Sequence, residues 1–353
     1  MDTVAAVRAA LATVQDPDLH RDLVALGMIR DLRVEGATAR FRLVLTTGAC
    51  PVKQQLEDQC RAAATSVPGV QRAEIDVTAE VPAGAAKAAL PGVKHLIGVG
   101  SGKGGVGKST LAANLACALA RRGAAVGLLD ADLYGPSLPV MFGVNRHPEV
   151  RERKMIPLDA HGVRLMSMGF LVEERQAVIW RGPMLVGALR QFLNDVAWGE
   201  LDYLLVDLPP GTGDVQLTLA QNAPMTGAVV ISTPQAVALA DARRSMAMFE
   251  RVHVPILGLV ENMGEFICPA CGHGEPIFGH GGAEAEARTL GVPFLGRVPL
   301  EPRVRIAGDA GTPVVIAHPE SRSAEAFARI AELVAARASV VALTASTASA
   351  LGR

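Results

Sequence analysis

The residues best equipped for chemistry lie in Val99-Gly-Ser-Gly-Lys-Gly-Gly-Val-Gly-Lys-Ser-Thr110. Gly102, Gly104, Gly105 and Gly107 carry no Cβ, so the backbone can close around an anion. N–H groups exposed in such a loop, together with a following helix N-terminus, attract phosphate. At this spacing Lys108 reaches the β- and γ-phosphates and the Ser109 hydroxyl takes Mg²⁺, with Val106 and Thr110 completing the loop. The context fits, because the apolar run His95–Gly100 precedes the loop and a helical pattern, Leu111–Ala120, follows it. These residues form a nucleotide site. A second lysine inside the loop, Lys103, adds a cation that can neutralise charge developing on a phosphoryl leaving group.

Carboxylates end two further apolar runs. Leu128-Leu-Asp-Ala-Asp-Leu-Tyr-Gly-Pro-Ser137 supplies Asp130 and Asp132, a pair suited to handling Mg²⁺ and water. Tyr203–Val206 ends in Asp207, in the Walker B pattern, which serves Mg²⁺ from the outer shell through water. The Pro-Pro-Gly-Thr-Gly that follows is a loop able to sense a γ-phosphate. Farther on, Cys268-Pro-Ala-Cys271 on a Gly/Pro-rich turn can grip one soft metal with both sulfurs. The chain offers no second such pair, so a four-thiolate site needs a second subunit, which a symmetric dimer provides. Two alternatives stay open: a zinc site completed by His273 or His280, and a redox disulfide.

The elements that must position these groups fall into two units. Residues 1–82 read as a small α+β module, with a helix from Val4 to Val14, strands at Ile29–Val34, Ala39–Leu45 and Gln71–Val77, and a helix from Val52 to Ser66. Cys60, inside that helix, is structural. An Ala/Gly/Pro-rich linker covers 83–94. From 95 to 337 apolar strands alternate with helical patterns, which predicts a doubly wound, mostly parallel α/β sheet with ligands beyond the strands' carboxyl ends. Residues 338–353 read as a loosely ordered tail, and no internal repeat stands out.

Composition narrows the function classes. In 353 residues, 34 basic side chains face 35 acidic ones for a net charge of −1, which leaves no electrostatic case for nucleic acid or an anionic membrane. Aromatics at 4% leave few base-stacking platforms. Five cysteines, an odd number without a leading signal segment, point to a reducing cytoplasm.

The loop with Lys103 resembles the deviant Walker A motif of the SIMIBI-class dimeric ATPases, among them MinD, ParA, ArsA and nitrogenase iron protein relatives. The resemblance implies that Lys103 crosses a dimer interface to the partner's nucleotide. It also implies that Asp132 positions the attacking water, that Asp130 supports the metal or the Ser109 hydroxyl, and that Asn262 of Val260-Glu-Asn-Met263 reads adenine. With Trp180-Arg-Gly-Pro-Met184 and the Cys-x-x-Cys turn added, residues 95–335 resemble the Mrp/Nbp35/ApbC family of iron–sulfur cluster carriers. In the first unit Asp16-Pro17, Leu26–Asp31 and Leu45-Thr-Thr-Gly-Ala-Cys-Pro51 resemble the MIP18-like (DUF59) iron–sulfur assembly family, which implies a pocket lined by Asp16, Thr46, Thr47 and Cys50. At the start of a helix the Cys50 thiol is expected to have a lowered pKa, unless it is simply a small buried residue.

The expected function is a homodimeric ATPase that binds a bridging [4Fe–4S] cluster, receives it from a scaffold and passes it to apoprotein clients. Two other readings share the nucleotide motifs. A MinD/ParA-like positioning ATPase needs a basic tail or face that the sequence lacks, and a nucleotide-dependent scaffold would hold Zn²⁺ at Cys268 and Cys271.

Overall fold

The computed structural model describes residues 2–83, 90–132, 135–171 and 182–351. The first module begins with α1 (Thr3–Leu11), capped by the Asp2 carboxylate, which accepts the Val4 N–H at 3.0 Å. Strands β1 (Ile29–Glu35) and β2 (Thr38–Leu45) form a hairpin, and α2 (Lys53–Thr65) then crosses over to β3 (Arg72–Ala79), parallel to β2. Period-two alternation along β2 turns Ala39, Phe41, Leu43 and Leu45 inward, against Val7 and Leu11 of α1 and Leu56 and Cys60 of α2. This small core is separate from the larger one.

The second unit is built on a nine-stranded sheet. In chain order it comprises β4 (Val93–Ser101), α3 (Lys108–Arg121), β5 (Val126–Asp130), β6 (Leu158–Ala160), β7 (Val163–Ser167), α4 (Gly182–Asn194), β8 (Leu201–Asp207), α5 (Asp214–Asn222) and β9 (Gly227–Ser232). After these come α6 (Ala236–Arg251), β10 (Ile256–Ile267), β11 (Gly274–Glu275), α7 (Gly282–Leu290), β12 (Phe294–Leu300) and α8 (Arg322–Leu351). The strand order is β6-β7-β5-β8-β4-β9-β10-β11, with β12 also paired to β10; only β6 and β11 run antiparallel to their neighbours. Strands such as Gly227–Ser232 are buried at every residue because helices cover both faces, which is why they read as unbroken apolar runs. The parallel arrangement brings the ends of β4, β5, β8 and β10 to one edge of the molecule.

Two boundaries differ from the sequence reading. Strand β4 starts at Val93, so the last two residues of the expected linker belong to the sheet, while 84–89 lie outside the described residues. Helix α8 does not stop at Arg337: it continues to Leu351, and Ala338, Ser339 and Ala342 are buried. The cause is tertiary. The first module offers this stretch a second surface, and the Ser339 hydroxyl donates to the Thr46 carbonyl at 3.3 Å. No helix among the described residues is long and apolar enough to cross a membrane.

Candidate functional site

The glycine loop lies between β4 and α3, as its spacing predicts. Gly105 and Gly107 have φ of +82° and +90°, a region that side chains resist. At Gly107 a Cβ would also strike the Asn262 amide. Gly104 has open space around it, whereas a Cβ on Gly102 would strike the Asp241 backbone of α6. Gly102 therefore serves helix packing as well as the loop. The loop is stitched to its neighbours, since the Ser101 hydroxyl donates to the Lys103 carbonyl at 3.0 Å and Gly211 N–H donates to the Ser101 carbonyl at 2.9 Å. The Lys103 side chain is exposed.

Lys108 is the hub of the charged site. Its buried ammonium donates to Asp207 at 2.6 Å, lies 3.3 Å from the Ser109 hydroxyl and 3.7 Å from Asp132. Asp130 and Asp207 are register partners on adjacent strands, both completely buried. Burial pushes the Asp130 carboxyl well above its ordinary range, and the neighbouring Asp207 charge adds to this. Burial also raises Asp207, with the Lys108 ammonium opposing it. Asp207 Oδ2 has no hydrogen-bond partner, and neither does the buried Ser137 hydroxyl. Two carboxylates, Asp207 and Asp132, share one ammonium and leave a buried acceptor unfilled beside the Ser109 hydroxyl, groups that suit a hydrated divalent cation held largely through water.

Asp130 has partners the sequence did not suggest. Its carboxylate does not reach toward Ser109 but accepts the N–H groups of Asp132 (3.2 Å), Ser137 (3.1 Å) and Leu138 (3.3 Å) and the Ser167 hydroxyl (3.1 Å). The carboxylate thus folds its own loop, the part between strand end and helix that has no ladder to satisfy its amides. Leu133 and Tyr134 of that loop, and Trp180-Arg181 of the later motif, lie outside the described residues.

Asn262 donates its amide to the Val106 carbonyl at 2.8 Å, latching β10 to the phosphate loop. It lines a cavity of about 500 Å³ with Gly107, Thr110, Met141, Met263 and Val304, a mostly apolar recess beside the loop that has the size and wall chemistry for a nucleobase.

Beyond Asn262, β10 continues into a hairpin with β11 at the edge of the sheet, and Cys268 and Cys271 sit at its tip. Cys268 N–H donates to the His273 carbonyl at 2.9 Å and Gly272 N–H returns to the Cys268 carbonyl at 2.8 Å. The backbone N–H groups of Cys271 and Ala270, together with the Cys271 thiol, hold the Cys268 thiol below its ordinary pKa. His273 faces Glu275 at 3.4 Å, and among the described residues no group of three or more His, Cys, Asp or Glu converges as a metal site.

At the other end of the sheet the first module docks. Thr47, expected to line a pocket, is 2% exposed; its hydroxyl accepts from the Tyr203 phenol and from Ala49 N–H, both at 3.1 Å. Thr46 accepts from Ser339, and Ala49 belongs to the larger core. Asp16 is buried and accepts the N–H groups of Asp18 and Leu19 at 2.9 Å. The Cys50 thiol is raised, not lowered: burial dominates, Asp16, Asp18 and Glu332 add to it, and the Val52 N–H opposes it only in part. Tyr203 stacks on His95 with centroids 5.5 Å apart, and both imidazole nitrogens are buried.

Sequence reasoning passed over Glu261. It is completely buried and accepts from Gly281 N–H (3.3 Å), Ala283 N–H (2.9 Å) and the Arg297 guanidinium. A carboxylate ending the apolar strand Ile256–Val260 was the available signal.

Fold and site define an ATPase of the deviant P-loop class, with strand-end carboxylates around the loop lysine and a thiol pair on an adjoining hairpin. Residues 92–335 match the family model of the NUBPL iron-transfer P-loop NTPases, and residues 4–77 match that of an iron–sulfur cluster assembly protein. The chain belongs to the family of iron–sulfur cluster carrier P-loop ATPases. An iron–sulfur cluster carrier protein of Deinococcus radiodurans is 54% identical over 95% of both chains. One from Synechocystis is 50% identical, over 97% of this chain and all of the relative. Among solved structures, a nucleotide-binding protein of Archaeoglobus fulgidus in complex with ADP is 41% identical, with a TM-score of 0.56 over 63% of this chain and 88% of that one. The cell division ATPase MinD of Pyrococcus furiosus is 25% identical, with a TM-score of 0.51 over 68% and 98%.

Proposed function

We propose that two copies of this chain bind ATP face to face and hold one [4Fe–4S] cluster between their Cys268 and Cys271 pairs, delivering it to apoproteins. The observation that carries this reading is the hairpin tip, where two thiols stand together, the Cys268 thiol held below its ordinary pKa by backbone amides, with no third ligand converging among the described residues. Four thiolates suit such a cluster, and a two-fold axis supplies the other two. Zn²⁺ completed by His273 is less well supported, because that imidazole faces Glu275.

In the ATPase cycle Lys108 exchanges Asp207 for the β- and γ-phosphates, and Asp132 orients the attacking water. The exposed Lys103 reaches the partner's nucleotide and offsets charge as the γ-phosphoryl departs. Ser109 and, through water, Asp207 would hold Mg²⁺, which supplies Lewis-acid stabilisation of the phosphates. Asn262 and the cavity beside it seat the base, and hydrolysis alters how the two hairpins face each other.

Anaerobic reconstitution with iron and sulfide tests the reading: broad absorbance near about 400 nm should appear with a dimeric mass. Cys268→Ala should abolish the band. A colourless protein binding one Zn²⁺ per chain, or a chain that stays monomeric with ATP and cluster components supplied, would refute it.

A further inference from the structure

Five residues separate Asn262, latched to the phosphate loop, from Cys268, and all belong to the one run of β10. That run is not plain strand. Asn262 pairs with Val298 and Phe266 with Leu300, so Met263, Gly264 and Glu265 together face the single residue Pro299 of β12. Pro299 has no N–H to give the ladder, and the opposing strand bulges there. Met263 adopts φ of +57°, a left-handed conformation costly for an unbranched side chain, and it also lines the cavity beside the phosphate loop.

Each residue of the bulge rests on something different. Gly264 lies directly on the Arg297 stem, where a Cβ would strike Cδ and Cγ. Glu265 lies against Gly274, the β11 partner of Ile267, where a Cβ would meet its carboxylate. Arg297 in turn pairs with the buried Glu261, which caps α7, and reaches Glu284 at 3.5 Å. One arginine side chain, by its guanidinium at Glu261 and its stem at Gly264, therefore braces the strand on both sides of Asn262 and Met263.

We infer that the Met263–Glu265 bulge is the relay between the nucleotide cavity and the thiol hairpin, and that Arg297 is the positioning residue that makes it stiff enough to transmit. Filling the cavity fixes Met263, and the braced bulge passes that order to the hairpin tip. This deepens the proposed coupling of nucleotide to cluster and rests on it, but it concerns the thiols alone and needs no iron to be tested.

The experiment is timed iodoacetamide labelling of Cys268 in the full chain, free of iron, with and without saturating Mg-ADP, read by peptide mass spectrometry. ADP is the probe because it fills the cavity without the γ-phosphate that two copies would share. Labelling of the unsubstituted chain should slow about threefold or more with ADP. In Arg297→Met, which keeps the stem and loses the charge, and in Gly264→Ala, which displaces the stem and keeps the charge, the ratio should fall to about one at saturating ADP. Arg297→Lys should recover part of the response, which a merely structural residue would not do. If Arg297→Met fails to fold because Glu261 is left unpaired, Gly264→Ala decides the question alone. A ratio of one in the unsubstituted chain, or its full response kept in Gly264→Ala, overturns the relay. Failure to assemble a cluster would leave this ratio untouched and refute only the proposed function.

Discussion

The two ends of the parallel sheet handle buried polar groups in opposite ways. At the carboxyl ends, Asp130, Asp207 and Lys108 are crowded together, an acceptor stays unfilled, and the Cys268 thiol is drawn toward its charged form by backbone amides. At the amino ends, the Tyr203 phenol donates to Thr47 and the Ser339 hydroxyl to the Thr46 carbonyl, while burial drives His95 and Cys50 toward their neutral forms. A parallel sheet makes this division natural. Loops leaving the carboxyl ends meet helix N-termini and can host anions and cations, whereas the opposite end is free to be sealed by another module. One end is kept ready for ligand and the other is closed.

The largest expected effect falls on the ligand end. Lys108→Ala should lower steady-state ATP hydrolysis by about a hundred- to a thousand-fold, as loss of a preorganised transition-state cation does. Comparable hydrolysis in the variant would mean that the carboxylate cluster, not the lysine, organises the phosphates.

The sealed end predicts a pH effect. Burial lowers His95 from 6.5 to about 4. The unfolded chain therefore takes up a proton that the folded chain refuses. Stability is complete above the ordinary histidine pKa and declines as pH falls from there to about 4, by roughly 3 kcal/mol in all. Denaturant titrations across that window should show the slope, and His95→Phe, which keeps the stack on Tyr203, should flatten it.

The two half-buried thiols, Cys50 and Cys268, sharpen the contrast further. Near neutral pH iodoacetamide should modify Cys268 at least about tenfold faster than Cys50, with the Cys268 rate rising at lower pH than that of an ordinary thiol. Cys60 and Cys117, both pushed up to about 12 by burial, should stay unmodified in the native chain. The smallest effect is expected from Tyr203→Phe. Losing its bond to Thr47 should cost about 1 kcal/mol in chemical denaturation and leave ATP hydrolysis unchanged.

Much of the ligand end was legible because its chemistry is local in sequence. The spacing of Gly102 to Ser109 dictates the loop, and an aspartate closing the apolar run Tyr203–Val206 has few other uses. What escaped depends on partners distant in the chain. Asp130 turns to Ser167, and Glu261 to Arg297, contacts no spacing rule encodes. Cys50 misleads for the same reason: its position near the start of α2 argues for a lowered pKa, yet the burial and carboxylates around it, Glu332 among them, come from the folded chain. The end of α8 was missed because alanine-rich sequence carries little periodicity once a second surface shares the burial.

That last helix also orders the chain in time. The first module leaves the ribosome with its own small core, yet one of its seats, the Ser339 hydroxyl, follows its Thr46 partner by 293 positions. A nascent chain therefore carries the module, core already formed, through nearly the whole second unit before that seat can close.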